Sequence, residues 1–357
     1  MTNPAGKYVE RYDRKPLPNY DVVPLRKEVT SVAAFQTRLT IVDPKNPKPG
    51  VKEKLEHVLS MIDVIQTRAH VDLLCFPEFV LHGSAIGLWT REDFLRVAID
   101  FPGEETELIG KRAKQYNCYI EMVAYTKEKD WPNHFFNCSF LFGPSGDIIH
   151  KHWKAHWDPG LFEYSTSVHD VLDEFVERYG WDAVWPVART DIGNIATLIC
   201  SEGFQPETSR VFAFKGAEIL AYSISGGAML GVPRWGDARL TFRSRCIDND
   251  VYGVFANNGI GTTGNYAFED TGAGYSMIID NVGRILKQTT SQNETVIAET
   301  IPIALFRKSH SIPPLRQELY LPEYAEYKGK YPPNMYSEYL PKDNLDAVNY
   351  ARRKARW

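Results

Sequence analysis

Residues 195–222 read IATLICSEGFQPETSRVFAFKGAEILAY. An apolar run, IATLIC (195–200), closes on a small residue, an acid and a glycine. A helix-like stretch, ETSRVFAFKGA (207–217), follows, and then a second apolar run, EILAY (218–222). Short apolar runs bounded by turn residues on either side of a helical segment define a β-α-β unit. Working outward, the pattern recurs. Val29 to Leu39 reads as a strand, and Val51, Leu55, Val58, Leu59, Ile62 and Ile65 recur at the 3.6-residue spacing of a helix. VDLLCF (71–76) is a buried strand closed by Pro77, and helix-like 104–117 precedes strand-like YIEMVAY (119–125). FNCSFLF (136–142) and DIIHKHW (147–153) flank GPSG, whose Pro and Gly suit a hairpin turn. GDARLTFRSRCIDND (236–250) reads as a helix, with VYGVFAN, AGYSMIID and TVIAE as later strands. Strands alternating with helices, with hairpins mixed in, imply an α/β protein whose mixed sheet is covered by helices.

Both ends of the chain change character. Residues 1–27 are rich in Pro, Tyr and charge and read as an arm, leaving a main domain over 28–304. From 305 to 357 Pro, Tyr and charged residues again dominate; this extension cannot build a core of its own and is expected to lie on the domain or on a neighbouring subunit. The composition, 43% hydrophobic and 24% charged, is that of a soluble globular protein. A formal charge of −4 argues against a general nucleic-acid binder, because no basic run is long enough to release many counterions. No stretch reaches the roughly 20 apolar residues that span a bilayer, and the first residues lack the apolar core of a secretory signal. Five cysteines without CxxC spacing fit reduced thiols, so a cytoplasmic location is expected.

Three positions look chemical. Glu78, in CFPEFVLHG (75–83), stands just past the proline that ends a strand, where α/β proteins place active sites; alone it reads as a surface turn residue. Lys151 and Lys154 are interleaved with His150, His152, His156, Trp153 and Trp157. The histidine spacing lacks an HExxH helix, a Cys pair or an acidic cluster, so no metal is expected, and the lysine stems could pack on the rings. Cys200 ends a strand before a helix start, the exposed strand-to-turn placement a nucleophile needs. A lone strand cysteine is otherwise a small buried hydrophobe, the reading that suits Cys75, Cys118, Cys138 and Cys246.

The order Glu, Lys, Cys, each just after an apolar strand, resembles the nitrilase (carbon–nitrogen hydrolase) superfamily, and within it the aliphatic amidase and formamidase branch. Ordered segments over roughly residues 28–300 carry the likeness: FPEFVLHG, FPGEETELIGKRAKQYNCYI, FNCSFLFGPSGDIIHKHWK, LICSEGFQPETSRVFAFKGAEIL and GYSMIIDNVGRIL. The resemblance implies a four-layer α-β-β-α sandwich with mixed sheets. It makes Glu78 the general base and Cys200 the nucleophile. The family's lysine falls eight residues after the turn glycine, which from Gly146 gives Lys154, with Trp153 where arginine is common. It also implies a second glutamate after the lysine, for which Glu163 stands at a suitable distance and Asp158 too close.

The implied chemistry is attack of the Cys200 thiolate on an amide carbon, with Lys154 and the Ser201 backbone N–H stabilising the oxyanion. Hydrolysis of the resulting thioester by water activated at Glu78 completes the cycle. No cofactor or metal is required. Cys-Ser-Glu at the nucleophile, rather than Cys-Trp-Glu, favours an amide over a nitrile, with nitrile or N-carbamoyl amine hydrolysis as the alternative. Phe79, Trp157 and Phe204, together with Trp153 and Trp235, are candidates to line an apolar substrate pocket, against the plainer reading that such aromatics are core. The segment STSVHDVLDEFVERYGWDAV (165–184) is longer than its amidase counterpart. YSISGGAMLG (222–231) faintly resembles the loop of serine amidases but lacks their doubled serine. The expected partners are a small-molecule amide and further copies of the chain, as a dimer or higher homo-oligomer, with no nucleic acid or membrane.

Overall fold

A computed structural model describes residues 19–83, 87–157, 164–226, 238–263, 266–268 and 274–357. Two mixed sheets form its centre. Among the described residues the first runs in the order Thr295–Ile301, Thr30–Gln36, Leu73–Cys75, Tyr119–Lys127, Phe136–Phe142 and Ile148–Trp153, with Ile99–Asp100 added beside Tyr119–Lys127. The second runs Ile285–Gln288, Met277–Ile279, Tyr252–Asn257, Ile219–Ile224, Gly193–Ile199 and Ala188–Thr190. The β-α-β unit read at 195–222 is a parallel pair, with Ile219 opposite Ile195 and Ser223 opposite Ile199. FNCSFLF and IIHKHW form the expected antiparallel hairpin, Leu141 opposite His150 and Ser139 opposite His152.

Period-two alternation decides what each face touches. Val32, Ala34, Leu73, Cys75 and Leu141 from the first sheet meet Ile195, Ile219, Ala221, Val254 and Ile278 from the second in one buried cluster between the sheets. The opposite face of the first sheet carries Ala33, Phe35, Leu74, Ile120, Met122 and Phe140 against Val51, Leu55, Val58 and Ile62 of the helix Pro47–Ala69. The outer face of the second sheet carries Ala196, Leu198, Leu220 and Phe255 against Phe212 and Phe242 of Pro206–Phe214 and Ala238–Asn249. The order of layers is therefore α-β-β-α.

Local chemistry sets the element ends. The helix Glu104–Tyr116 begins with Glu104, Glu105 and Glu107, which favour the positive end of its dipole, and stops at Asn117 in the left-handed region (φ 50°). Gly110 of that helix lies against the hairpin turn so closely that a Cβ would sit 2.2 Å from the Gly146 carbonyl oxygen. Only glycine allows that approach. No helix among the described residues is long and apolar enough to cross a membrane.

The C-terminal region contains the short helices Leu321–Glu326, Met335–Glu338 and Asn344–Lys354. Met335, Tyr336, Ala347 and Tyr350 belong to the same apolar cluster as the first helix layer. Arg91 fastens them: its Nε donates to the Pro341 carbonyl (2.5 Å) and its guanidinium lies 5.7 Å from the Tyr336 ring. Tyr336 is 2% exposed and Leu345 69%. Tyr336→Ala should therefore lower the free energy of unfolding by about 3 kcal/mol, and Leu345→Ala by less than about 0.5 kcal/mol, measured by urea denaturation of the full chain.

Candidate active site

The sheet alternation that builds the core also sorts the two lysines. His150 and His152 point between the sheets, and Lys154 continues their side of the strand. Lys151 points the other way, pairing with Glu128 (2.6 Å) and sitting 3.9 Å from the centres of the Phe101 and Trp153 rings. Lys154 is fully buried, and its Nζ lies 3.6 Å from Oε1 of the equally buried Glu78. Asn137 joins the two: its Nδ2 donates to Glu78 Oε1 (2.7 Å), and its backbone carbonyl accepts from the Lys154 N–H (2.9 Å). The Ser225 N–H approaches Glu78 Oε2 (3.2 Å), and Asn258 Nδ2 donates to the Glu78 carbonyl (3.0 Å).

The loop carrying Glu78 is held by its own sequence. Phe79 takes φ 65°, and the Gly83 N–H returns to the Phe79 carbonyl (2.8 Å). His82 bridges to the neighbouring strand: its Nε2 accepts from the Tyr125 N–H (2.8 Å), so its proton is on Nδ1, which donates to the Gly83 carbonyl (2.6 Å). Burial drives its imidazolium down to about 4, keeping the ring neutral and this tautomer fixed.

Cys200 begins a single tight turn, Cys200–Phe204, directly after Gly193–Ile199, and takes φ 48°, a strained value for a residue with a Cβ. Its carbonyl accepts from the Tyr222 hydroxyl (2.5 Å). The Tyr222 phenol is pushed well above its ordinary range, first by burial and then by the charges of Cys200, Glu78 and Glu202. Cys200 and Glu202, from one turn, and Glu78, from a strand end of the other sheet, therefore all lie near one ring. Among the other cysteines, burial raises the Cys138 thiol to about 12, whereas Cys200 is partly exposed.

Glu202 ties the nucleophile turn to the lysine turn. It is fully buried, and its carboxylate accepts from the Ile199 N–H (2.9 Å), the Ala155 N–H (2.6 Å) and His152 Nε2 (2.9 Å). Burial alone would raise its pKa; the His152 ring and the N–H donors outweigh that and hold the carboxyl below its ordinary value. The remaining histidines have similar local duties, His150 against Thr197 (3.3 Å) and His156 against Thr208 (3.2 Å).

The other sequence candidates are distributed. Phe79 is stacked on Tyr125 (4.8 Å) inside the core, and Trp153 packs on Phe175 and Tyr179 of the helix Leu172–Tyr179, within the long segment noted in the sequence. Trp157 donates to the buried Asp170 (2.7 Å) and lines a cavity of about 300 Å³ with His156, His169, Lys330 and Tyr331. Phe204 packs partly exposed at the outer face of the second sheet. The Ser201 hydroxyl is buried. Glu163 and Trp235 lie outside the described residues. Sequence reasoning left Asn137, Glu202, Tyr222 and Asn258 without roles. The alternation of Asn137 and Ser139 with Phe136, Cys138 and Phe140 is the one signal that marks polar groups aimed between the sheets.

Glu78, Lys154 and Cys200 thus stand just past the carboxyl ends of strands from two stacked sheets, the edge where α/β proteins place their active sites. The sequence profile described as carbon–nitrogen hydrolase matches residues 31–310. The chain is 25% identical over 225 residues to omega-amidase NIT2-B of Xenopus laevis, covering 63% of this chain and 76% of that protein. It is 27% identical over 229 residues to formamidase of Helicobacter acinonychis, covering 63% of this chain and 61% of that one. Among solved structures, Saccharomyces cerevisiae Nit3, of the nitrilase superfamily, superposes with a TM-score of 0.62 at 18% identity, covering 84% of this chain and all of that one. An amidase from Nesterenkonia sp. superposes at 0.59 and 15% identity, covering 82% and 96%. The protein belongs to the carbon–nitrogen hydrolase family of the nitrilase superfamily, enzymes that hydrolyse non-peptide carbon–nitrogen bonds.

Replacing Glu202 by Gln turns an NH₂ toward at least one buried N–H and should cost about 1–3 kcal/mol per donor left unpaired. The Glu202 carboxyl is held low in the folded state, so its stabilisation is present above the ordinary carboxylate range and lost as pH falls through its lowered value. Urea denaturation at descending pH should show a steeper acid loss in the parent protein than in Glu202→Gln.

Proposed function

We propose that the protein is a thiol amidase that converts a small-molecule amide to a carboxylic acid and ammonia through a thioester on Cys200. The observation that carries this reading is the buried Glu78–Lys154 contact at 3.6 Å, with the strained, partly exposed Cys200 sharing the Tyr222 ring with Glu78. A free thiol, pKa about 8.5, is mostly protonated at neutral pH, so a base must take its proton. Glu78 is that base, held by Asn137 on one oxygen and the Ser225 N–H on the other. Thiolate attack on the amide carbon builds negative charge on oxygen. Lys154 and the Ser201 N–H stabilise that oxyanion. Glu78, now protonated, delivers its proton to the departing nitrogen, and then activates the water that cleaves the thioester. Glu163 is assigned the orienting of Lys154. The names of the relatives, omega-amidase and formamidase, support an amide rather than a nitrile as substrate.

Cys200→Ala should reduce kcat by at least about 10³-fold, and Lys154→Met should remove about 2.7–4 kcal/mol of transition-state stabilisation. Ammonia release across aliphatic and aryl amides, nitriles and N-carbamoyl amines is the assay. Near-normal turnover by Cys200→Ala sinks the mechanism, while activity confined to nitriles would replace the substrate class. Ser225 touches Glu78 through its backbone, so Ser225→Ala should be close to neutral in the same assay.

The protein is further proposed to form a homo-oligomer. Supporting this are the exposed apolar side chains of Leu319, Leu321, Tyr324 and Tyr327, gathered within a few residues of the C-terminal region. Light scattering should give more than one chain mass, and charged substitutions at Leu319 and Tyr327 should lower it.

A further inference from the structure

A buried carboxyl that this mechanism leaves unused lies on the strand paired with the one that leads to Glu78. Glu121, on the strand Tyr119–Lys127, is fully enclosed. It stands opposite Cys75 in the parallel ladder and Leu141 in the antiparallel one, and its side chain enters the layer between the two sheets. Ser139 Oγ donates to its Oε1 at 2.8 Å. Ser223 Oγ, from the facing sheet, lies 2.8 Å from its Oε2 and 2.7 Å from the carbonyl oxygen of Phe76.

The protons can be counted. Ser223 has one hydroxyl proton, and a carboxylate can only accept. If Glu121 were ionised, Ser223 could serve either Glu121 or Phe76, not both. If Glu121 carries a proton, every contact is met at once: Glu121 donates to Ser223, Ser223 donates to the Phe76 carbonyl, and Ser139 donates to the other Glu121 oxygen. The groups facing Glu121 are Cys75 from Leu73–Cys75, the Phe76 backbone N–H, Ser139 from Phe136–Phe142 and Ser223 from Ile219–Ile224. None of them is a cation that would favour the ionised form.

The strands so joined are those that hold the base. Phe76 stands two residues before Glu78, and Ser223 two residues before Ser225, whose N–H reaches Glu78 Oε2. We propose that Glu121 is a positioning residue that works in its neutral, proton-donating form, ordering from both sheets the two strand ends that fix Glu78. The inference rests on the proposed role of Glu78 as base. Burial, opposed by the Ser139, Ser223 and Phe76 hydrogen bonds, pushes the Glu121 carboxyl up to about 7. Above that value Ser223 is drawn from Phe76 to the new carboxylate, and the constraint on Glu78 is lost.

The test compares the full-length parent with Glu121→Gln and Glu121→Ala. Glutamine keeps a donor for Ser223 and an acceptor for Ser139 but cannot ionise. At about pH 6, below the raised value, Glu121→Gln should keep kcat within about threefold of the parent, while Glu121→Ala should lose about tenfold in kcat with KM little changed. As pH rises through 7 the parent should lose kcat at a lower midpoint than Glu121→Gln. Coincident pH profiles, or a glutamine variant as impaired as the alanine one, would overturn the proposal.

A substrate-free measurement separates this inference from the reading of the site. The folded-state pKa is raised, so between about pH 4.5 and about pH 7 the folded chain binds more protons than the unfolded one, and stability from Glu121 falls as pH rises through that window. The Tm of Glu121→Gln minus that of the parent should therefore grow from about pH 5 to about pH 8. A pH-independent difference rejects the neutral Glu121 whatever the enzyme hydrolyses. A parent inactive on every amide, with the thermal shift present, rejects the site reading and with it the role of Glu121 in ordering a base.

Discussion

A carboxylate buried between two sheets has to be satisfied where it stands, and Glu202 meets that demand by accepting from three directions: its own strand end, the backbone after Lys154, and the His152 ring. Each donor belongs to a segment that carries a chemical group. Ile199 precedes Cys200, Ala155 follows Lys154, and His152 lies on the strand that delivers Lys154. Leaving any of these N–H groups unpaired in the interior costs on the order of 1–3 kcal/mol. The separation between the two sheets at this end is therefore held by hydrogen bonds with narrow length limits, where apolar packing alone would tolerate more sliding. Cys200 and Lys154 come from different sheets, and this clamp sets their relative position.

The same region holds the backbone strain. Phe79 and Cys200, flanking the site from opposite sheets, both take positive φ values that usually cost about 1–3 kcal/mol. Neighbours over-determine each one. Phe79 is pinned by the His82 bridge and the stack on Tyr125; Cys200 is pinned by the Tyr222 hydroxyl on its carbonyl. The rings beside these turns are thus part of the scaffold. Phe79 and Trp153 serve packing, and the cavity that Trp157 lines is shared with residues of the C-terminal region rather than with the strand ends. That region joins the first helix layer through Tyr336 and Tyr350, so the loops around residues 91, 135 and 170 are braced from outside by chain that comes last in sequence.

Much of the fold could be read before any coordinates. Runs such as FNCSFLF and IATLIC have the length and bounding turns of buried strands, and 51–65 has a helical period, because burial of one face imposes those patterns locally. Boundaries moved by a few residues where capping and pairing decide them: the helix extends to Pro47–Ala69, and AGYSMIID contributes only Met277–Ile279 to a strand. Counting from the turn glycine separates Lys154 from Lys151, and strand alternation turns their side chains to opposite layers, since one register step sends a side chain to the other face.

Polar partnership between distant segments could not be read that way. The alternation around Asn137 marks an inward polar group, but nothing local tells that it will bridge Glu78 and Lys154, 59 residues before it and 17 after it. Glu202 reads as a turn acid and Glu121 as one polar residue in a buried strand. Their roles depend on which side chains of the opposite sheet face them, and that follows from how two twisted sheets stack. The sequence by itself determined the strands, the helices, the faces and the residues with chemistry to offer, because those depend on near neighbours and on burial. Only the tertiary structure decided that Glu78 lies beside a lysine, that Glu202 bridges two turns and that Glu121 faces two serine hydroxyls, because the partners and the desolvation of a buried carboxyl are settled by how the sheets pack.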